Sequence, residues 1–138
     1  MAADTLHPVI SHGTTETRDL QATRRFFEEF LGLDVIQPFP MAIYASSGQS
    51  WRLVCVKTGR KLQEQGVENR FCLHVNTSAD VEDARAAALA ARDEYGIRAV
   101  SDLVSADGVV SFTMQDLNFA WWEVAHRPAR PLETTKDR

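Results

Sequence analysis

A repeated order of elements constrains a fold more than any single motif does, and in this chain one order is written twice. The first copy opens with a strand-like run, Val9 to Thr17. Asp19 stands where a helix N-cap belongs, because its carboxylate can accept from the free N–H groups of a first turn. The segment Leu20 to Leu31 follows, with Leu20, Thr23, Phe27, Phe30 and Leu31 on one helical face. Arg24, Arg25, Glu28 and Glu29 form its polar cover. Gly32 can end the helix in the left-handed conformation. Three strand-like runs come next: Leu33 to Pro38, Met41 to Ala45 and Trp51 to Lys57, with Ser46-Ser47-Gly48-Gln49 as the turn before the last.

The second copy keeps this order. Phe71 to Asn76 is strand-like, and Thr77, Ser78 and Asp80 supply capping oxygens. Val81 to Tyr95 is rich in alanine and favours a helix, with Val81, Ala84, Ala88, Ala91 and Tyr95 as the buried stripe. Gly96 stops it, as Gly32 stops the first. Ile97 to Val104, Val109 to Met114 and Ala120 to Ala125 then read as strands, and Asp107-Gly108 is a strong hairpin signal. The chain therefore reads strand-helix-strand-strand-strand, twice. The expected fold class is α+β, from paired βαβββ modules. Module one covers residues 8–57 and module two residues 70–126, with a polar connection at 58–69 and a tail at 127–138.

A length of 138 residues suits one domain. Its 44% hydrophobic content can bury a core without disulfides, so Cys55 and Cys72, both in apolar strand-like runs, are expected to be buried free thiols. A net charge of -4 with no long basic run argues against nucleic acid as a partner. No apolar stretch approaches the roughly 20 residues that span a membrane. Met1 to Pro8 lacks the layout of a secretory signal, so the expected location is cytoplasmic.

The local motifs carry a resemblance. Ser11-His12, Arg18-Asp19-Leu20 and Arg25-Phe26-Phe27-Glu28-Glu29-Phe30-Leu31-Gly32-Leu33 resemble the opening signature of the vicinal oxygen chelate superfamily of glyoxalases, extradiol dioxygenases and bleomycin-resistance proteins. Phe27 stands where tyrosine is usual. Phe112-Thr113-Met114-Gln115-Asp116 and Trp121-Trp122-Glu123-Val124 resemble its closing motif, with Leu117, Asn118 and Phe119 in place of a proline-and-glycine turn. The resemblance spans about residues 8–126. It implies two modules whose sheets curl into a cup, and, in metal-binding members, two histidines and a glutamate that converge on one divalent ion. An imidazole and carboxylate set with open positions suits Fe(II) or Mn(II).

Carried over, the resemblance makes His12 the first metal ligand and Glu123 the last. Ile10, His12, Thr14 and Glu16 share one strand face. Trp121 and Glu123 share another, and a carboxylate among such neighbours needs a partner. A metal would supply one, and so would a salt bridge to Arg70. The middle ligand is ambiguous. Aligned on Val75, its position falls on Arg70, which cannot bind a cation, and His74 then lies ~13 Å away along the strand. Counted from the helix start, His74 precedes Asp80 by six residues, near the seven that separate His12 from Asp19. His74 is thus a third ligand, or else a polar or general-base residue that meets substrate.

Large apolar residues, among them Phe39, Met41, Tyr44, Trp51, Phe112, Met114 and Trp121, are divided between core and pocket. Tyr44, Trp51, Phe112, Met114, Trp121 and Arg70 are the expected substrate-binding set. The resemblance implies, first, an extradiol-dioxygenase-like metal enzyme acting on an oxygen-rich, aromatic small molecule. A glyoxalase-like isomerase or lyase is equally compatible with the metal. The second reading is a metal-free protein that binds a drug or natural product. A homodimer is expected by analogy with short members of the superfamily.

Overall fold

The computed structural model describes residues 10–48 and 51–128. His7, Val9, Gln49 and the tail beyond Pro128 lie outside the described residues. The chain divides into two compact units. One runs to Glu64 and adds Leu117–Ala120. The other comprises Gln65–Asp116 and the chain from Trp121.

In the first unit, β1 (His12–Thr17) leads through Asp19 into α1 (Leu20–Arg25). The Asp19 side chain accepts from the Ala22 amide, as the sequence predicted. The helix then widens into a π-helical turn over Phe26–Phe30. This turn corrects the expected buried face. Phe26 and Phe27 are both fully enclosed, whereas Phe30 and Leu31 are half-buried, because the wider turn shifts the residues that follow Phe26 around the helix. Gly32, at φ +69°, releases the chain. The strands β2 (Asp34–Phe39), β3 (Ala42–Ser46) and β4 (Arg52–Lys57) complete the unit.

The strand order is β1-β4-β3-β2, so the last of the four strands in sequence returns to pair parallel with the first. β2 is an edge strand, which tolerates the missing N–H of Pro38. Alternation divides the sheet. Thr17, Val35, Ile43, Ala45, Leu53 and Cys55 are buried on one face, and α1 packs on β3 and β4. His12, Tyr44, Arg52 and Val54 lie on the other.

A buried polar network closes this unit. The Thr17 hydroxyl donates to Asn118 Oδ1 at 2.7 Å, and Asn118 Nδ2 donates to Thr23 Oγ1 at 3.0 Å. Both threonines are wholly enclosed, so the amide satisfies groups that water cannot reach. Asn118 belongs to the segment that replaces the proline-and-glycine turn. Phe119 follows it at φ +66°, a left-handed conformation that costs a bulky residue about 1–2 kcal/mol.

The second unit repeats the plan. β5 (Arg70–His74) precedes α2 (Ser78–Ala90), whose start carries a complete capping box between Thr77 and Asp80. Ala91 interrupts the predicted single helix, and α3 (Arg92–Tyr95) continues to Gly96 at φ +69°. The expected strand Ile97 to Val104 is instead two short pieces, β6 (Ala99–Val100) and β7 (Val104–Ala106), both paired with β8 (Val109–Gln115). Asp107 and Gly108 both have positive φ, as a tight two-residue hairpin between β7 and β8 requires. β9 (Trp121–His126) lies between β8 and β5, parallel to β5. The order β5-β9-β8-β6 therefore matches that of the first unit. α2 packs on β8 and β9. Among the described residues no helix is long and apolar enough to cross a membrane.

Asn118→Ala should leave the enclosed Thr17 and Thr23 hydroxyls short of a partner. We expect a loss of about 1–3 kcal/mol, read as a lower urea midpoint with an unchanged slope. An unchanged midpoint would show that the network is dispensable.

Candidate functional site

The parallel pairing of first and last strands determines which side chains stand together. In the first unit it sets His12 directly opposite Arg52, and the antiparallel β3 brings Tyr44 opposite the next inward-facing residue of β4, Val54. Ser11, His12, Tyr44, Arg52 and Val54 line an open depression of about 220 Å³. Ser11 Oγ and His12 Nδ1 share a hydrogen bond of 2.9 Å, and the Arg52 guanidinium lies 5.9 Å from the centre of the Tyr44 ring. His12, expected as a metal ligand, and Tyr44, expected as a substrate-binding residue, both line this depression. Trp51 is not among the lining residues. It lies over Gly13, where any Cβ would come within 3.3 Å of its ring, and Arg52 occupies the depression instead. One position along a strand reverses the face.

In the second unit, β5 and β9 align Arg70 with Trp121, Cys72 with Glu123 and His74 with Ala125. Glu123 is buried. Arg70 Nε donates to Glu123 Oε1 at 2.9 Å, and Arg127 Nη2 stands 3.6 Å from Oε2. The salt bridge proposed as the alternative to a metal is therefore present. Arg127 Nη1 also donates to the Cys72 sulfur at 3.5 Å. This hydrogen bond is the largest cause that raises the Arg127 guanidinium above the ordinary arginine range, and Glu123 contributes in the same direction. His74 accepts from the Arg127 backbone N–H at 3.3 Å and faces the His126 ring at 5.9 Å between centres. Trp121 donates its indole N–H to the Gln65 carbonyl at 2.8 Å, which fixes that ring.

Two further expectations are corrected here. Phe112 and Met114 are not pocket residues. They are opposite Val124 and Trp122, on the strand face away from Glu123, and both are fully enclosed in the core. Cys72 is exposed, unlike the buried Cys55, although both thiols are free as expected. Sequence reasoning missed Arg52 and Arg127, whose roles come from strands remote in sequence or from the end of β9.

The residues present can be tested against the divalent metal that the resemblance implies. Both Glu123 oxygens face guanidinium nitrogens. A divalent ion at that carboxylate would meet a repulsion on the order of 8 kcal/mol from each guanidinium at about 4 Å and an effective dielectric of about 20, less where water screens it. Among the described residues no group of three or more His, Cys, Asp or Glu side chains stands together as a metal site. The arrangement around Glu123 does not fit a resident divalent cation.

No protein-family model and no curated protein sequence matches the chain. Solved structures do. A glyoxalase-related enzyme from Fulvimarina pelagi is similar with a TM-score of 0.72 and 18% identity, covering 94% of each chain. The fosfomycin resistance protein FosX from Listeria monocytogenes is similar with a TM-score of 0.69 and 16% identity, over 96% of this chain and 99% of that one. A glyoxalase/bleomycin resistance protein/dioxygenase family enzyme from Burkholderia phytofirmans has a TM-score of 0.68 and 14% identity, over 84% and 96%. The two βαβββ units therefore have the vicinal oxygen chelate fold. At such identities the likeness is one of fold.

Breaking the pair from the arginine side tests how much Glu123 depends on it. Arg70→Met should destabilise the protein by about 1–2 kcal/mol in urea unfolding. That is less than a fully buried pair would cost, because Arg70 is 38% exposed and Arg127 remains. No loss would mean that Arg127 alone compensates the carboxylate.

Proposed function

We propose that this protein binds an oxygen-rich, partly aromatic small molecule without a resident metal. The observation that carries this reading is the engagement of Glu123 by Arg70 and Arg127. A carboxylate so flanked has its charge offset, and two guanidinia beside one carboxylate leave a net positive charge there. Among the similar structures one is named a fosfomycin resistance protein and another a glyoxalase/bleomycin resistance protein/dioxygenase family enzyme, so recognition of a drug or natural product is in keeping with names given to this fold. The extradiol-dioxygenase-like reading, with Fe(II) or Mn(II) on His12, His74 and Glu123, requires both arginines to withdraw. The glyoxalase-like isomerase or lyase reading carries the same requirement.

A homodimer fits this function. Ile36 and Phe39 of the edge strand β2, with Met41 beside them, are large apolar side chains left more than half exposed. Light scattering should give a mass near 31 kDa, about twice that of one chain, and a monomer at micromolar concentration would remove this part of the reading.

Metal retention tests the central claim. Protein incubated under low oxygen with Fe(II), Mn(II), Zn(II) or Ni(II) and then desalted should keep far less than one ion per chain. Arg70→His, which converts a cation into a ligand, should keep more. Near-stoichiometric metal in the wild type, lost in Glu123→Gln, would overturn the metal-free reading and restore the enzyme.

A further inference from the structure

We infer that the depression on the open face of the first sheet is an anion subsite, built to hold the carboxylate of an aromatic acid. This inference rests on the small-molecule reading above and names the ligand class. Arg52 is its centre. Among the described residues this guanidinium has no ion pair, and the Tyr44 ring lies 5.9 Å from it. Of the other described arginines in the first unit, Arg24, Arg25 and Arg60 are each paired with a glutamate, while Arg18 has no ion pair but does not line the depression. No carboxylate lines the depression.

The surrounding groups have complementary chemistry. His12 is paired with Arg52 across the parallel ladder. Its Nδ1 is engaged by Ser11, which orients the ring and leaves Nε2 for a ligand. Tyr44 and Val54 supply an apolar wall, with the phenol able to donate. A guanidinium binds a carboxylate through two parallel N–H bonds, and the Tyr44 ring 5.9 Å away adds a cation–π attraction that favours the arginine on this face. An aromatic ring attached to that carboxylate would lie against Tyr44 and Val54. The opposite choice, a cationic ligand, would meet Arg52 with no acidic partner to offset it.

The test compares benzoate with its neutral isostere benzamide by isothermal titration of the full chain at low salt. Wild type should bind benzoate at least about tenfold more tightly than benzamide, as one charge-assisted pair supports. Arg52→Gln should abolish that preference, and Arg52→Lys should keep part of it. Arg52 is exposed, so the variants should melt with the wild type in circular dichroism. Equal affinities in the wild type would overturn the subsite, as would a preference that survives Arg52→Gln. If the preference survives Arg52→Gln but is lost in Arg70→Gln, charge selection belongs to the second unit. The subsite then fails while the small-molecule reading stands. Absence of binding by either probe also overturns the subsite, and metal retention decides the other reading separately.

Discussion

Parallel pairing between the first and last strand of each unit is the constraint on which the functional chemistry depends. A run of three antiparallel strands after a helix could end at a free edge. Here the final strand instead returns beside the first, β4 along β1 and β9 along β5. Parallel ladders are possible only when the intervening chain crosses over, and the capped helices and the hairpins of each unit supply that crossover. The consequence is that residues about 40 or 50 positions apart become direct neighbours. His12 meets Arg52, and Cys72 meets Glu123, flanked by Arg70. Neither pairing would survive a one-residue slip, which would turn these side chains under the helices.

Charge then distinguishes the two open faces. In the second unit a buried carboxylate is bracketed by two guanidinia, so its negative charge is already balanced. In the first unit a guanidinium stands with an aromatic ring and no carboxylate. Arg70 thus does more than cover one oxygen. It converts a carboxylate that could draw in a cation into a structural ion pair, and it shifts the balance of the face towards anions. Arginine suits this use because it remains charged at every working pH and cannot itself ligate a metal.

Much of the fold was legible because its signals are local. Asp19 caps a helix through its own carboxylate, Gly32 and Gly96 adopt the conformation that ends helices, and Asp107-Gly108 makes the turn its composition demands. The possible pairing of Arg70 with Glu123 could also be named, because an enclosed carboxylate must find a cation. What escaped was non-local. Alternation separates Phe112 and Met114 from Glu123, but only the packing of α2 decides which face becomes core. The π-helical turn at Phe26–Phe30 has no signature in residue type, and Ile97 to Val104 looks continuous although its ladder partners are not. Arg52 reads as an ordinary surface arginine until β1 is laid beside it.

Asn118 has a consequence for the order in which this chain is made. It sits between β8 and β9, yet its amide completes a network with Thr17 and Thr23 in the first unit. Domains commonly fold from the N-terminus as the ribosome delivers them. In this first unit the Thr17 and Thr23 hydroxyls bond each other and the Asp19 backbone, but the amide that completes their network is synthesised about a hundred residues later. A nascent chain stalled after Glu64 holds every strand of the first sheet but lacks that amide. The first sheet can thus be complete in its strands while its enclosed polar network still lacks one member, and that member arrives only with the turn before the final strand.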